Sequence, residues 1–279
     1  MIASDVMASP VYVVSPSETV ARARNLMLKH HISRVLVMEG DRLTGILTKK
    51  DIGYRLRQCE PIWRRRPVDR IPVILLATPD PVCVGPETGI KEIAEEMIEY
   101  QISGVPVVDK EKVVGIVTKS DLLRSELVNH IDSRVADMME DAITVSRYHS
   151  LDHIIDLMCE RDDKVVVVNN DGTLAGIITE SNLAFYTYEN DRTGDMPEKD
   201  VKMLRKDSEG RKIYRYVADR VAIAEDLMSR PVVTVVPDAP ISDGVRLMRE
   251  EKVNSLVVVE GNEIKGILKR DDIIREVAK

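Results

Sequence analysis

The hydrophobic and polar residues of this chain follow one pattern four times. In each copy, a short β-branched run precedes a turn and an amphipathic segment, and two apolar runs joined by a tight polar turn come next. A second helical segment then closes the copy. Alternating apolar residues predict strands, and apolar residues spaced three or four apart predict helices. The pattern therefore predicts four β-α-β-β-α units, a fold of the α/β (α+β) class.

The four copies align without gaps on a glycine in the third strand. This glycine opens the stretches GILTKKD (45–51), GIVTKSD (115–121), GIITESN (176–182) and GILKRDD (266–272). The helical segments also share one residue type, a methionine, at positions Met27, Met97, Met158 and Met248. A repeat that keeps its register in this way is one supersecondary unit used four times. We expect the shared methionine to lie in the core.

The repeat sets the domain boundaries. We predict unit 1 at 1–58, a linker at 59–72, unit 2 at 73–129, unit 3 at 131–189, a charged linker at 190–213 and unit 4 at 214–279. Prolines in the first linker discourage a continuous helix. The second linker has few apolar residues and many charges, which predicts a mobile segment with a helical turn or two near Val201 to Leu204.

The end of each third strand carries candidate chemistry. Thr118 is expected at the start of the closing helix, with Asp121 one turn later, and Thr48 and Asp51 repeat the pair. Helix N-termini favour anions, and a carboxylate can accept hydrogen bonds from both hydroxyls of a ribose. The same spacing also fits a capping box, in which threonine and aspartate only complete the start of their helix.

Two further features accompany these pairs. Lys49 and Lys119 follow the threonines, where a cation can meet a phosphate. In unit 2 a small-residue turn enters the second strand, and it comprises Ile102, Ser103, Gly104, Val105 and Pro106. Gly104 permits close approach of the backbone, so the amides there can read an adenine edge while Ile102 and Val105 cover the ring. For the valines, a simple buried strand is the better interpretation.

Unit 1 differs from unit 2 in this turn. Its corresponding residues are Ile32, Ser33, Arg34 and Val35, so an arginine replaces the glycine. Arg34 either narrows the adenine pocket or adds a contact to a phosphate, since the guanidinium group suits phosphate geometry.

The stretch ISGVPVVD followed by VVGIVTKSD resembles the cystathionine β-synthase (CBS) domain family, and the gapless register extends this resemblance over all four units. The resemblance implies that units 1 and 2 pair into one Bateman module and units 3 and 4 into another. It also implies clefts between paired domains for adenosine-containing ligands: AMP, ADP, ATP, S-adenosylmethionine or a dinucleotide. The family's phosphate and ribose contacts carry over to Thr48 and Asp51 and to Thr118 and Asp121.

Units 3 and 4 depart from the family pattern. Unit 3 has Thr179 but Asn182, whose amide carries one acceptor oxygen and no charge. Unit 4 has Asp272, but Lys269 replaces the threonine and is suited to meet a phosphate directly. We therefore rank the ligand sites of units 1 and 2 first, that of unit 4 next and that of unit 3 last. The second half of the chain is expected to be mainly structural.

Composition and charge exclude several classes. The net charge is -7 and aromatics make up 4% of the residues, so nucleic acid is not an expected partner. The local exception is the first linker, where Trp63 lies beside Arg64, Arg65 and Arg66. No apolar run is long enough to cross a membrane, and the N-terminus shows no secretion signal. Three cysteines without CxxC spacing indicate reduced thiols, so we expect a cytoplasmic protein.

The sequence thus predicts a regulatory protein rather than an enzyme. Its units would bind an adenosine-containing small molecule, change their packing and present a new surface to an unidentified protein partner. We predict no catalytic residue, no catalytic cofactor and no metal. The alternatives are a structural or interaction protein with empty clefts, and local nucleic-acid binding through the linker that contains Trp63 and Arg64 to Arg66. A nucleotide-converting enzyme is disfavoured, because the motifs hold no general base except the ribose carboxylates themselves. Four units allow either a self-contained disc or a homodimer.

Overall fold

The first unit has the predicted β-α-β-β-α order after a short additional helix. The computed structural model describes residues 1–55, 70–125, 128, 131–161, 164–185, 200–206, 212–218 and 222–278. Unit 1 comprises α1 (Ala3–Val6), β1 (Val13–Val14), α2 (Val20–Lys29), β2 (Arg34–Glu39), β3 (Arg42–Thr48) and α3 (Lys49–Arg55). Strand β1 runs parallel to β2, and β2 runs antiparallel to β3.

The other units repeat this order. Unit 2 comprises a 3-10 helix (Val73–Leu75), β4 (Thr78–Pro79), α4 (Ile90–Glu99), β5 (Gly104–Asp109), β6 (Lys112–Thr118) and α5 (Lys119–Leu122). Unit 3 comprises α6 (Val135–Met138), β7 (Thr144–Ser146), α7 (Leu151–Glu160), β8 (Lys164–Val168), β9 (Leu174–Thr179) and α8 (Glu180–Phe185). The β-α-β-β-α prediction is confirmed, although the first strand of unit 2 is reduced to a bridge between Val84 and Val107.

The linker between units 3 and 4 is partly regular. Strand β10 (Asp200–Lys206) pairs with β11 (Lys212–Ala218) in seven antiparallel register pairs. The helical turn expected near Val201 to Leu204 is therefore wrong. Ile213, Tyr214, Tyr216 and Val217 favour extended backbone, but the high average polarity of the stretch conceals that preference. The first linker's Trp63, Arg64, Arg65 and Arg66 lie outside the described residues.

Unit 4 begins with a short helix after this hairpin. It comprises α9 (Ala224–Leu227), β12 (Thr234–Val235), α10 (Ile241–Glu250), β13 (Ser255–Glu260), β14 (Glu263–Lys269) and α11 (Arg270–Ala278). Residue 214, the expected start of this unit, lies within β11. None of the helices in the described residues is long and apolar enough to span a membrane.

Paired units exchange the segment that precedes their first strand, which we call the leading segment. Helix α1 docks on unit 2, where the Ala3 N–H donates to the Thr88 carbonyl at 2.8 Å. In return, the leading segment of unit 2 docks on unit 1, where the Val73 N–H donates to the Glu18 carbonyl at 2.8 Å. Units 3 and 4 exchange their leading segments in the same way. The Val135 N–H donates to the Ala239 carbonyl, and the Ala224 N–H donates to the His149 carbonyl. The exchange is consistent with the predicted pairing into two modules.

The leading segments also explain the repeated glycine. A Cβ atom on Gly45 would lie 2.9 Å from the Thr78 carbonyl oxygen, and one on Gly266 would lie 2.5 Å from that of Glu140. Any side chain at these positions would push the leading segment of the paired unit away. Each of these glycines also lies beside a register shift in its hairpin, as between Val37 and Met38.

The two modules pack against each other through their closing helices. Helix α3 of unit 1 meets α8 of unit 3, where a Cβ on Gly53 would lie 3.0 Å from that of Leu183. Units 2 and 4 share one hydrophobic core, which includes the fully buried Leu122 and Ile273. The repeated methionines are buried, as predicted, with exposures of 0% for Met27 and Met97 and 3% for Met158 and Met248. The four units therefore surround a common centre.

Candidate functional site

A cavity of about 730 Å³ lies at that centre. Residues from every unit line it, and many of them are sequence-predicted site residues: Ser33, Arg34, Thr48, Lys49, Asp51, Ile102, Ser103, Gly104, Lys119, Thr179 and Lys269. The remaining predicted site residues lie outside its lining: Ile32, Val105, Pro106, Thr118, Asp121 and Asp272. The tertiary structure thus brings predicted residues of all four units to one space.

The aspartates of units 1 and 2 both cap their helices. The Thr48 N–H and hydroxyl donate to Asp51 Oδ2 at 2.9 and 2.8 Å, and the Asp51 N–H donates to Thr48 Oγ1 at 3.2 Å. Thr118 makes the same two bonds to Asp121 Oδ2, at 2.9 and 2.6 Å. The alternative of a capping box is therefore observed, and it occupies one oxygen of each carboxylate.

The second carboxylate oxygen differs between these two units. Within the described part of the chain, Oδ1 of Asp51 accepts no hydrogen bond, and this aspartate lines the cavity. Oδ1 of Asp121 accepts from Arg124 at 3.2 Å, and that arginine is exposed to solvent. Capping is thus compatible with a ribose contact through Oδ1, and that contact stays a prediction.

Arg34 crosses from unit 1 into the predicted adenine pocket of unit 2. Its Nη2 donates to Ser103 Oγ at 3.0 Å. Its Nη1 lies only 1.8 Å from the place that a Cβ on Gly104 would occupy. The glycine at position 104 therefore makes room for this guanidinium group, and Arg34 narrows the pocket while presenting its charge to the cavity.

The cavity is electrostatically positive although the chain carries a net charge of -7. Its lining has nine basic and four acidic side chains. Burial, together with the nearby charge of Arg270, lowers the pKa of Arg34 to about 10. Burial also lowers the pKa of Lys49, and Arg34 and Arg270 add to this effect against the opposing Glu180. Cations that disfavour one another in this way would gain from a bound anion.

The predicted phosphate-binding lysines also join the two modules. Lys119, which is buried, pairs through Nζ with Asp271 Oδ1 at 2.9 Å. Arg270 in turn donates to the Ser120 hydroxyl. Lys49 Nζ donates to Ser181 Oγ at 3.3 Å. A ligand phosphate that reaches these lysines would therefore act on the contact between modules.

In unit 3 the equivalent group is the side-chain amide of Asn182, and its hydrogen bonds are made to other residues of the protein. Oδ1 of Asn182 accepts from the Thr179 N–H and hydroxyl, both at 2.9 Å. Its Nδ2 donates to the Leu227 carbonyl at 2.8 Å and to Ser229 Oγ at 3.0 Å. Asparagine here keeps the cap and ties it to the leading segment of unit 4, which suits a structural role.

In unit 4 both oxygens of the aspartate are occupied. The Lys269 N–H donates to Asp272 Oδ2 at 2.8 Å, and Arg275 Nη1 donates to Oδ1 at 3.0 Å. Glu140, from the leading segment of unit 3, pairs with Lys269 Nζ and Arg275 Nη1, both at 2.5 Å. These four side chains form one cluster of alternating charges at the position equivalent to the predicted ribose sites of units 1 and 2.

Sequence reasoning missed the residues that the leading segments contribute. One residue of each segment pairs with the isoleucine after the repeat glycine, and the pairs are Thr78 with Ile46, Ala8 with Ile116, Ser229 with Ile177 and Glu140 with Ile267. A sequence signal was present, because three of these residues follow a methionine after an acidic helical turn: Met7, Met139 and Met228. No sequence pattern, however, indicates that each leading segment docks on the paired unit and not on its own.

The carboxyls of the unit 4 cluster have opposite pKa shifts. Burial opposes ionisation of Glu140, but hydrogen bonds from Lys269 and Arg275 outweigh it and lower the pKa of this group to about 2. Burial raises the pKa of Asp272 from 3.8 to about 7, and the charge of Glu140 adds to the rise against the hydrogen bond from the Lys269 N–H. We therefore expect Asp272 to release its proton at a higher pH than Glu140 does.

This shift predicts a pH dependence of stability. The native state keeps a proton on Asp272 that the unfolded chain releases, so the contribution of this residue to the unfolding free energy should decrease as pH rises from about 3.8 to about 7 and stay constant above that range. We expect urea unfolding of the wild type and of Asp272→Asn to show this decrease as a pH-dependent difference. A difference that stays flat between pH 4 and 7 would show that Arg275 keeps the native carboxyl ionised.

Comparisons with known proteins agree with this architecture. The crystal structure of protein MJ1225 from Methanocaldococcus jannaschii superimposes with a TM-score of 0.78 at 18% identity, covering 99% of each chain, a likeness that shows the fold alone. The uncharacterized protein MJ1404 of the same organism is 25% identical over 98% of this chain, which spans 61% of that relative. Inosine-5'-monophosphate dehydrogenase of Korarchaeum cryptofilum is 33% identical over 117 residues, which are 42% of this chain and 22% of that enzyme.

The family comparison covers most of the sequence. A family model described as CBS domain matches residues 3–57, 73–127, 133–189 and 224–279. The four matched segments correspond to the four repeats, and the exchanged leading segments join them in two pairs. This protein therefore belongs to the CBS domain family, with four domains arranged as two Bateman modules.

Proposed function

We propose that this protein is a regulatory sensor that binds adenine nucleotides, namely AMP, ADP or ATP, in its first module. The observation that carries the proposal is the positive central cavity beside Asp51. Asp51 offers a free carboxylate oxygen to a ribose, while Arg34, Lys49 and Lys119 lie where phosphates attached to that ribose can reach them. The proposal assigns no catalytic step to these residues.

The charge of the cavity favours nucleotides over S-adenosylmethionine. A nucleotide brings negatively charged phosphates, whereas S-adenosylmethionine has a net positive charge, because its sulfonium and ammonium groups outweigh its one carboxylate. Nine basic side chains and four acidic ones line the cavity, so a further positive charge is unfavourable there. Charge-assisted hydrogen bonds to phosphate are about twice as strong as neutral ones, so each phosphate should strengthen binding.

Regulation would follow from competition at the module junction. A phosphate that contacts Lys119 competes with Asp271 for that ammonium group, and a contact with Arg270 competes with Ser120. The ligand would thus bind one arrangement of the two modules better than another and shift the population toward it. A protein partner that recognises one arrangement would then read the nucleotide level.

Calorimetric titration with adenosine, AMP, ATP and S-adenosylmethionine tests the proposal. We expect AMP to bind at least tenfold more tightly than adenosine or S-adenosylmethionine, ATP to bind most tightly, and affinity to fall with salt. Saturation at 100 times the Kd should add about 2.7 kcal/mol to the unfolding free energy. In the control Arg34→Met, AMP should lose affinity while adenosine does not. Equal binding of all four ligands, or none at millimolar concentration, would refute the proposal.

A structural role is the second candidate, since Asp51 and Asp121 are both observed as helix caps. In that case the aspartates act only within their own helices, and neither nucleotides nor S-adenosylmethionine should alter the melting temperature. The asparagine substitutions described in the Discussion separate the two functions, because they keep the cap and remove the charge.

A further inference from the structure

The four units differ in one residue at an equivalent position of the leading segment. The residue that docks beside the repeat glycine comes from the leading segment of the paired unit. It is Thr78 on unit 1, Ala8 on unit 2 and Ser229 on unit 3, but Glu140 on unit 4. The backbone is the same in unit 4: the Glu140 N–H donates to the Ile267 carbonyl at 3.0 Å, and the Ile267 N–H donates back at 2.9 Å. We call the space between the closing helix of a unit and the leading segment docked on that unit its crevice. The crevices of the four units therefore differ in the docked side chain and not in the backbone.

The Glu140 carboxylate joins two cations of unit 4. Its two oxygens lie 2.5 Å from Lys269 Nζ and from Arg275 Nη1. The Lys269 side chain is only 9% exposed, so its charge is largely removed from water and needs an anionic partner. In unit 4, Lys269 also replaces the threonine that caps the helix in the other three units. Lys269 and Arg275 thus form an anion-binding pair, and the anion that they bind is the carboxylate of Glu140.

We propose that the crevice of unit 4 is an oxyanion site that Glu140 keeps closed. Its ligand class is a phosphate or a larger phosphorylated anion, because a lysine and an arginine bring two positive charges and both residue types bind phosphate oxygens. A sugar is disfavoured there, since both oxygens of Asp272 are already hydrogen-bonded. Lys269 and Arg275 also line the central cavity proposed to hold a nucleotide, but the site of unit 4 uses no residue of the first module.

Displacement of Glu140 would act on the chain that connects the modules. Glu140 follows α6, which docks on unit 4 through the Val135 N–H bond to Ala239 at 2.9 Å. The same segment continues from unit 2 into unit 3. An anion that takes Lys269 and Arg275 from Glu140 therefore weakens the attachment of this connecting segment to unit 4.

The chain itself provides the substitutions that test the proposal. Glu140→Ala places on unit 4 the residue type that docks on unit 2, and Ala8→Glu makes the reverse change on unit 2. Both are made in the full chain carrying Asp51→Asn and Asp121→Asn, so that the result does not depend on nucleotide binding in the first module. Inorganic pyrophosphate is the probe, and its binding is measured by calorimetry.

We call the chain with Asp51→Asn and Asp121→Asn the parent. We expect Glu140→Ala to bind pyrophosphate about tenfold more tightly than the parent, and Glu140→Gln to show a smaller increase in affinity. The gain should disappear when Lys269→Met is added, and Ala8→Glu should show no gain. Pyrophosphate should also raise the melting temperature of Glu140→Ala more than that of the parent. If Glu140→Ala is too unstable to purify, Glu140→Gln carries the test. Identical titrations of the parent and the Glu140 variants, or a gain that survives Lys269→Met, would overturn the proposal.

Discussion

Replacing Asp51 and Asp121 by asparagine should weaken nucleotide binding roughly ten- to hundredfold and leave the unfolding free energy within about 0.5 kcal/mol of the wild type. The expectation rests on unit 3, where Asn182 caps its helix with the same two bonds that the aspartates make. Asparagine therefore preserves the cap. It removes the negative charge that would accept both hydroxyls of a ribose, and hydrogen bonds to charged groups contribute about 1.5–3 kcal/mol each.

The alanine variants complete this experiment. Asp51→Ala and Asp121→Ala remove the cap as well as the charge, so they should also lose about 1 kcal/mol of stability. Asn182→Ala is the matched control in unit 3, where we expect a loss of stability and no effect on AMP binding. Calorimetric titration with AMP and thermal melting give the two readouts. If the asparagine variants bind AMP as the wild type does, the aspartates are caps alone and the ribose contact is wrong.

Met97→Ala should destabilise the protein by about 2–5 kcal/mol, which corresponds to a fall in melting temperature on the order of 10 °C. Met97 is fully buried in α4, within the hydrophobic core that units 2 and 4 share. Truncation removes the apolar contacts of the side chain and leaves a cavity that the helix and the strands beneath it fill only partly. Because this core joins the two modules, the loss should weaken both of them.

An exposed residue provides the comparison for this prediction. Leu28 lies on the equivalent helix α2 and is 47% exposed, so Leu28→Ala should change the unfolding free energy by no more than about 0.5 kcal/mol. Thermal melting and urea unfolding of both variants measure the difference. Similar effects for Met97→Ala and Leu28→Ala would mean that the repeated methionine does not hold the core together.

The central cavity links these results to function. Its positive charge is assembled from residues that are far apart in sequence, such as Arg34, Lys119 and Arg270. No one unit supplies the cluster, so nucleotide affinity should depend on how the modules pack. A ligand that depends on module packing must, by linkage, alter that packing in return.

Features that depend on neighbouring residues were predictable from the sequence. The helix and strand periods, the repeat register and the capping spacing of Thr48 and Asp51 all act over a few residues, and the structure has each of them. The prediction of a helical turn near Val201 was wrong, because it rested on the average composition of a segment and not on the pattern of neighbouring residues. Averaging over a charged stretch conceals the extended preference of the strands within it.

Long-range pairings required the tertiary structure. Arg34 reaches Ser103, and Glu140 reaches Lys269, across separations that no local pattern encodes. The sequence predicts that Gly104 leaves space for a ligand, whereas in the structure the Arg34 guanidinium lies in that space.

The sequence by itself determined the fourfold unit and its order of elements, because backbone propensity and hydrophobic period are local properties that each copy carries. The tertiary structure decided which crevices are open and which are filled. Exchange of the leading segments places a residue of one unit in the crevice of its paired unit. In unit 2 this residue is Ala8, which brings no charge, and in unit 4 it is Glu140, whose carboxylate fills the crevice.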